Sequence, residues 1–392
     1  MKKALCLLLA LMMVLSMAAC AQSTTDTKTE TSAPAETQPS GETAQTGESE
    51  NESASSGELT TLVYGAPSTA TSVTMWYALQ QGYFEEYGVN LEIIFFNSGT
   101  SLNDAARAGE VDLYSLGSMM STTGATTFGS KLLCYLAPDN ASYHVFARNE
   151  SAIIQAGNGQ LAEHPEIYAD ADAWKGSTVL WTRGQSGHYT INAILELMGL
   201  SASDITAIDL EQNQIPAAFD SGEGDVMVVG NPLWAEFAEQ PDKYTRVASL
   251  DMLYPDYDNI ATIMACSDAL ANKRDALKGF AKGLMRAQNE FANDEELYKQ
   301  WMYNWQSEYN VNVTEESAAF DCQFYKMPTY EWTRAYFEGG DDSICANGFN
   351  KIAAFMHSVE NMSDEVYETY NAGDHIADDI ILEALDELEA AK

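Results

Sequence analysis

Arg183 is one of few arginines in the chain and stands in the loop Thr182 to Gly187, directly behind the apolar stretch Thr178 to Trp181. At the carboxyl end of a strand such a side chain faces the ligand side of a sheet, and a guanidinium fork fits a carboxylate or sulfonate through two parallel hydrogen bonds. Among 58 acidic residues, a neighbouring acid is an equally ready partner. His188 opens the following helix, either as a donor to an oxyanion or packed against the strand end. Trp76, Ser98, Thr100, Ser118, Thr182, Ser186, Asn213 and Asn231 also fall where loops turn into helices. Small polar side chains there cap helices, and the unpaired N–H groups of a helix start favour anions, so each reads as cap or ligand contact. The aromatic rings of Trp76, Tyr114, Tyr143 and Trp181 suit the apolar body of an organic ligand or the core.

Little else in the chain points to chemistry. The five histidines are spread over 144, 164, 188, 357 and 375, and there is no Gly-x-Ser-x-Gly elbow, His-Glu-x-x-His helix or Gly-rich Lys loop. Cys134 and Cys266 sit in apolar runs and read as buried strand residues. Cys322 and Cys345 flank an aromatic, loop-rich region and are the better disulfide candidates, although three pairings of these four remain open. None has metal-site spacing, so neither a metal nor a cofactor is expected. Binding, not catalysis, is the expectation.

The elements that must position these residues alternate. Leu59 to Tyr64 reads as a strand, then a small-residue loop, a helix from Val73 to Gln81, a strand from Val89 to Phe96 and a helix from Leu102 to Ala108. Val89 to Phe96 is apolar enough for a sheet covered on both faces. Gly109-Glu110-Val111-Asp112-Leu113 starts a third strand, and Gly117-Ser118 opens another helix. The order then recurs: a strand ending at Trp181, a helix from His188 to Met198, a strand from Ile205 to Leu210, and a helix begun by Gln212 to Pro216. Gly222-Glu223-Gly224-Asp225-Val226 matches the earlier Gly-Glu-x-Asp, and Gly230-Asn231 matches Gly117-Ser118. Two similar lobes with mostly parallel sheets follow. Tyr143 to Arg148 and Asn259 to Cys266 read as extended segments crossing between them, which makes a hinge over a ligand cleft at the strand ends.

The start of the chain bears on location. Lys2 and Lys3, the apolar run Ala4 to Val14 and the small residues before Cys20 form an export signal too short to span a bilayer. Met17-Ala18-Ala19-Cys20 resembles a bacterial lipoprotein cleavage box, which implies a diacylglycerol on Cys20 and an anchored, extracytoplasmic protein. Residues 21–58 hold no Leu, Ile, Val, Met, Phe, Tyr or Trp. They have nothing to bury and read as a tether reaching on the order of 35 Å. Formal net charge is −38, which leaves no basic stripe for nucleic acid.

Gln80 to Glu92, QQGYFEEYGVNLE, resembles a segment shared by solute-binding proteins of nitrate, sulfonate and taurine transporters and their thiamine-precursor relatives. Ala108 to Asp112 and Trp174-Lys175-Gly176 fit the same family in order, over residues 60–290. The resemblance implies a type II periplasmic-binding-protein fold of two α/β lobes joined by two crossing strands. It also implies a monomer that hands a sulfonate-like, carboxylate-like or pyrimidine-like solute to an ABC permease. The expected division is a signal peptide at 1–19, a tether at 20–58, lobe one at 59–145 and 259–392, and lobe two at 146–258. Two alternatives stand beside it. One is a ligand-sensing or adhesion lipoprotein on the same fold. The other is a thiamine-precursor-synthase-like enzyme, disfavoured by the lack of a Cys-rich iron motif.

Overall fold

The computed structural model describes residues 59–391 apart from 68–69, 97–98, 231–232, 254–256 and 310–312. The leader, Cys20 and the tether lie outside the described residues. Ten strands form two sheets. The first sheet holds β1 (Thr60–Pro67), β2 (Val89–Phe96), β3 (Leu113–Gly117), β4 (Lys131–Pro138) and β10 (Ile260–Ala265). The second holds β5 (Tyr143–Arg148), β6 (Thr178–Trp181), β7 (Thr206–Asp209), β8 (Val226–Gly230) and β9 (Tyr244–Ser249). Their orders are β2-β1-β3-β10-β4 and β7-β6-β8-β5-β9. In each sheet the strand arriving from the other lobe is antiparallel to both neighbours, β10 between β3 and β4, and β5 between β8 and β9. The two lobes are therefore the same arrangement twice. Because β5 already pairs in the second sheet, the first crossing is the short segment 139–142, slightly earlier than the sequence boundary at 145.

Parallel strands need crossover connections, and helices supply them. In lobe one these are α1 (Val73–Gln80), α2 (Gly99–Ala108) and α3 (Ser118–Phe128). In lobe two they are α4 (Ser186–Leu197), α5 (Ile215–Asp220, with Pro in its first turn) and α6 (Ala235–Ala238). The repeated Gly-Glu-x-Asp does one job in both lobes. Asp112 Oδ2 accepts the Val63 N–H at 2.9 Å while its own N–H donates to Val63 O at 2.8 Å. Asp225 does the same to Thr178, at 2.8 Å and 2.8 Å. Each carboxylate thus clamps a backbone N–H of the neighbouring strand, so the repeat is architectural. One expectation is corrected: β2 is an edge strand, with Ile94 and Phe95 exposed, because nothing described pairs beyond it.

The rest of the chain is helical: α7 (Arg274–Asn293), α8 (Glu295–Tyr309), α9 (Glu315–Phe324), α10 (Tyr330–Phe337), α11 (Ile344–Ser358) and α12 (Asp378–Ala390). Along α7, Leu277, Phe280, Ala281, Leu284, Ala287 and Phe291 recur at helical spacing and are buried. Gly279 and Gly283 let that face settle on the backbone of Tyr87 and the ring of Phe84. The opposite edge of α7 carries Arg274, Lys278 and Lys282, which meet Asp379, Glu383 and Glu387 of α12 at 2.6–2.9 Å. Helix α11 packs on α3 of lobe one and α4 of lobe two, so the tail touches both lobes. Cys322 on α9 and Cys345 on α11 are free, buried thiols, and the expected disulfide is not formed. Cys134 and Cys266 are buried as expected.

Candidate functional site

The carboxyl ends of β1 and β3 in one lobe and of β6 and β8 in the other carry the loops expected to face a ligand. What joins them is a polar lock across the two crossings. Asp139-Asn140 leaves β4, and Asp258-Asn259 enters β10. Asn140 Nδ2 donates to Asp258 Oδ1 at 3.0 Å, and Asn259 Nδ2 donates to Asp139 Oδ2 at 2.8 Å. The Asn259 N–H donates to Asn140 Oδ1, the Asp139 N–H to Asn259 O, the Ser142 hydroxyl to Asp139, and the Tyr336 hydroxyl to Asp258. Two Asp-Asn dipeptides thus bond reciprocally. Burial pushes the Asp139 carboxyl up to about 6 against its hydrogen bonds from Ser142 and Asn259. A Cβ on Gly117 would stand 3.6 Å from Asp139 Oδ2, which puts this acid beside the start of α3.

In lobe two the ring of Tyr143 lies across Gly187 of α4 and Gly230 of β8; an added Cβ would come within 2.8 Å and 3.1 Å of it. At Gly187 a side chain would force the ring to shift, and at Gly230 it would press tightly on it. Its hydroxyl reaches Gln185 Oε1 at 3.4 Å. Gln212 braces the same strand ends, donating to Thr182 Oγ1 at 2.9 Å and accepting the Gly230 N–H at 3.0 Å.

Several expected contacts are otherwise engaged. Ser118 Oγ donates to Ile260 O at 3.0 Å and accepts the Ile260 N–H at 2.9 Å, so this buried hydroxyl joins α3 to β10. Thr182 Oγ1 donates to Leu210 O at 2.7 Å. Arg183 is exposed; its Nε lies 3.5 Å from Asp209 Oδ2 and its N–H donates to Asp209 Oδ1 at 2.9 Å. His188 is buried between Trp181 and Phe355, and Nδ1 accepts the Gly184 N–H at 3.2 Å. Burial first, then the Arg183 charge, lowers His188 to about 4, so the ring is neutral. Trp76 packs against Trp301 and Trp305 of α8, at ring separations of 5.2 and 5.6 Å, which makes it a brace between lobe one and the tail. Ser186 is half-buried in the first turn of α4, and Asn213 is exposed. Ser98, Asn231 and the side chain of Thr100 lie outside the described residues.

Asp139, Asn259, Gln185 and Gln212 were not singled out from the sequence. The recurring Asp-Asn at 139–140 and 258–259, one at each crossing, is the signal that could have found the first two. Among the described residues no group of three or more His, Cys, Asp and Glu is placed to hold a metal ion, and no helix is long and apolar enough to cross a membrane.

Two sheets of one order, joined by two locked crossings, define the type II periplasmic-binding-protein fold. The chain belongs to the NMT1-like family, whose model matches residues 55–300. It is 24% identical over 318 residues, 81% of this chain and 90% of the relative, to a protein of Brachyspira hyodysenteriae named as an ABC transporter periplasmic binding protein. The periplasmic aliphatic sulphonate binding protein of Escherichia coli superposes with a TM-score of 0.59 at 14% identity, covering 81% of this chain and 91% of that one. The periplasmic nitrate-binding protein of Synechocystis gives 0.60 at 16%, covering 85% and 90%. At such identities the two structures establish the fold.

Proposed function

We propose that this protein is an extracytoplasmic solute-binding protein that captures a small organic molecule between its lobes and delivers it to an ABC permease. The topology carries the reading: two equivalent sheets are linked by two crossings that the reciprocal Asp-Asn lock ties together, which supports a cleft shared by their strand-end loops. The family match and the name of the Brachyspira relative support transport. The lipoprotein box at Cys20 and the tether after it support action as a monomer held at the membrane.

For the solute, we favour an aromatic or pyrimidine-like body with hydrogen-bond donors over a sulfonate or carboxylate. Arg183 is held by Asp209; Asp139, which already accepts from Ser142 and Asn259, keeps further carboxylate lone pairs beside Gly117, and Tyr143 lies across Gly187 and Gly230. A carboxylate acceptor and a flat ring suit such a body.

Native mass spectrometry of protein purified without refolding is expected to reveal a retained solute of this kind. Calorimetry on that solute should then show Arg183→Ala within about 0.5 kcal/mol of the parent, where an anion bound through a buried pair would lose about 2 kcal/mol or more. Sulfonate or nitrate binding lost with Arg183 would overturn the solute assignment. Docking to a receptor with no solute bound by any preparation would favour a sensor and overturn the transport reading.

A further inference from the structure

Successive strand residues point to opposite faces, so while Tyr143 turns to α4, His144 turns to the other side of the second sheet. There it stacks on Trp234 at 4.2 Å, with the rings 14° apart. Phe324 of α9 stands 6.1 Å from His144 and 5.7 Å from Trp234, and Phe320 stands 5.8 Å from Trp234. Between these rings and the rim formed by Thr245 and Arg246 of β9 lies a cavity of about 460 Å³. That is within the range of small-molecule sites.

His144 and Trp234 belong to this lining, but they are only 1% and 4% exposed and their ring nitrogens are closed to solvent. Burial, then the nearby Arg246 charge, lowers His144 to about 3, so its ring is neutral. Arg246 is the only charged residue of the described lining, and its exposed side chain makes no ion pair or hydrogen bond among the described residues. In a chain with 58 acids to 20 bases, an unclaimed arginine beside an aromatic cavity is a specific arrangement. Phe320 and Phe324 of the aromatic wall come from α9, which lies outside the stretch matched by the family model.

We propose that this pocket is a second small-molecule site, separate from the cleft, which takes a planar aromatic or heteroaromatic carboxylate. The carboxylate pairs with Arg246, and the ring lies among Phe320, Phe324 and Trp234. The proposal does not depend on which solute the cleft carries.

The test uses the full chain with benzoate as probe and benzamide, which keeps the ring without the charge, as control, followed by ligand-observed NMR titration. Benzoate should bind at least about tenfold more tightly than benzamide, and Arg246→Gln should erase that difference. Phe320→Ala, an exposed position on α9, should weaken both probes while the melting temperature holds. Arg183→Ala should change neither. Equal binding of the two probes, benzoate binding indifferent to Arg246→Gln and Phe320→Ala, or benzoate displaced by the solute retained in the cleft would each overturn the proposal.

Discussion

Burial holds the Asp139 carboxyl at about 6, above its ordinary 3.8, and the sign of that shift makes it testable. An acid raised in the folded state is ionised at a penalty, which is complete above pH 6 and fades as pH falls toward 3.8. From a difference of this size the penalty is about 2–3 kcal/mol. Relative to Asp139→Asn, the parent protein should therefore gain stability between pH 7 and pH 4.5, read as the difference in urea midpoints. The neutral histidines His144 and His188 are common to both proteins and cancel in that difference. A pH-independent difference would mean that the lock ionises freely. At this scale the sequence indicated which residues are polar and near strand ends, but not their partners. Arg183 read as pairing with a ligand or a neighbouring acid and Ser118 as cap or ligand contact; one lies beside Asp209, and the other is closed onto the backbone of Ile260.

The elements were more legible than the contacts. Alternating strand and helix patterns, and the duplicated Gly-Glu-x-Asp, located most of both sheets because a two-residue period and a 3.6-residue period are local properties. The edge position of β2 was not legible, since its apolar run is compatible with burial on one face or both. The two aspartates of the repeat make a symmetric prediction. Asp112→Ala and Asp225→Ala should each cost about 1–3 kcal/mol, because each orphans a strand N–H. The loss should be larger for Asp112, which also pairs with Lys273 at 2.8 Å. A neutral result at either site in chemical denaturation would remove the clamp. On α7, Gly279→Ala should destabilise by about 1–3 kcal/mol, because the new Cβ would meet the carbonyl oxygen of Tyr87.

For the whole molecule, charge and redox state decide the outcome. The acids outnumber the bases almost threefold, and three of the cations are gathered on α7 against α12. Mutual repulsion among the remaining acids is long-ranged and screened by salt, whereas the ladder is short-ranged and exposed. The melting temperature is expected to rise between low and moderate ionic strength; a fall would mean that the ladder outweighs the repulsion. Thiol titration of unfolded, unreduced protein should report all four of Cys134, Cys266, Cys322 and Cys345 as free. Two missing thiols would restore the disulfide expected from the sequence.

Local patterning by itself determined that this chain makes two like α/β lobes, since period and composition need no knowledge of distant partners. Only the tertiary structure decided which polar groups are occupied. The pairing of Asp139-Asn140 with Asp258-Asn259 joins residues more than a hundred positions apart, and the tail helices reach both lobes. Trp76, read in sequence as ligand contact or core, packs against Trp301 and Trp305 because α8 returns to it. Such contacts depend on how the elements pack, and that information resides in the fold as a whole.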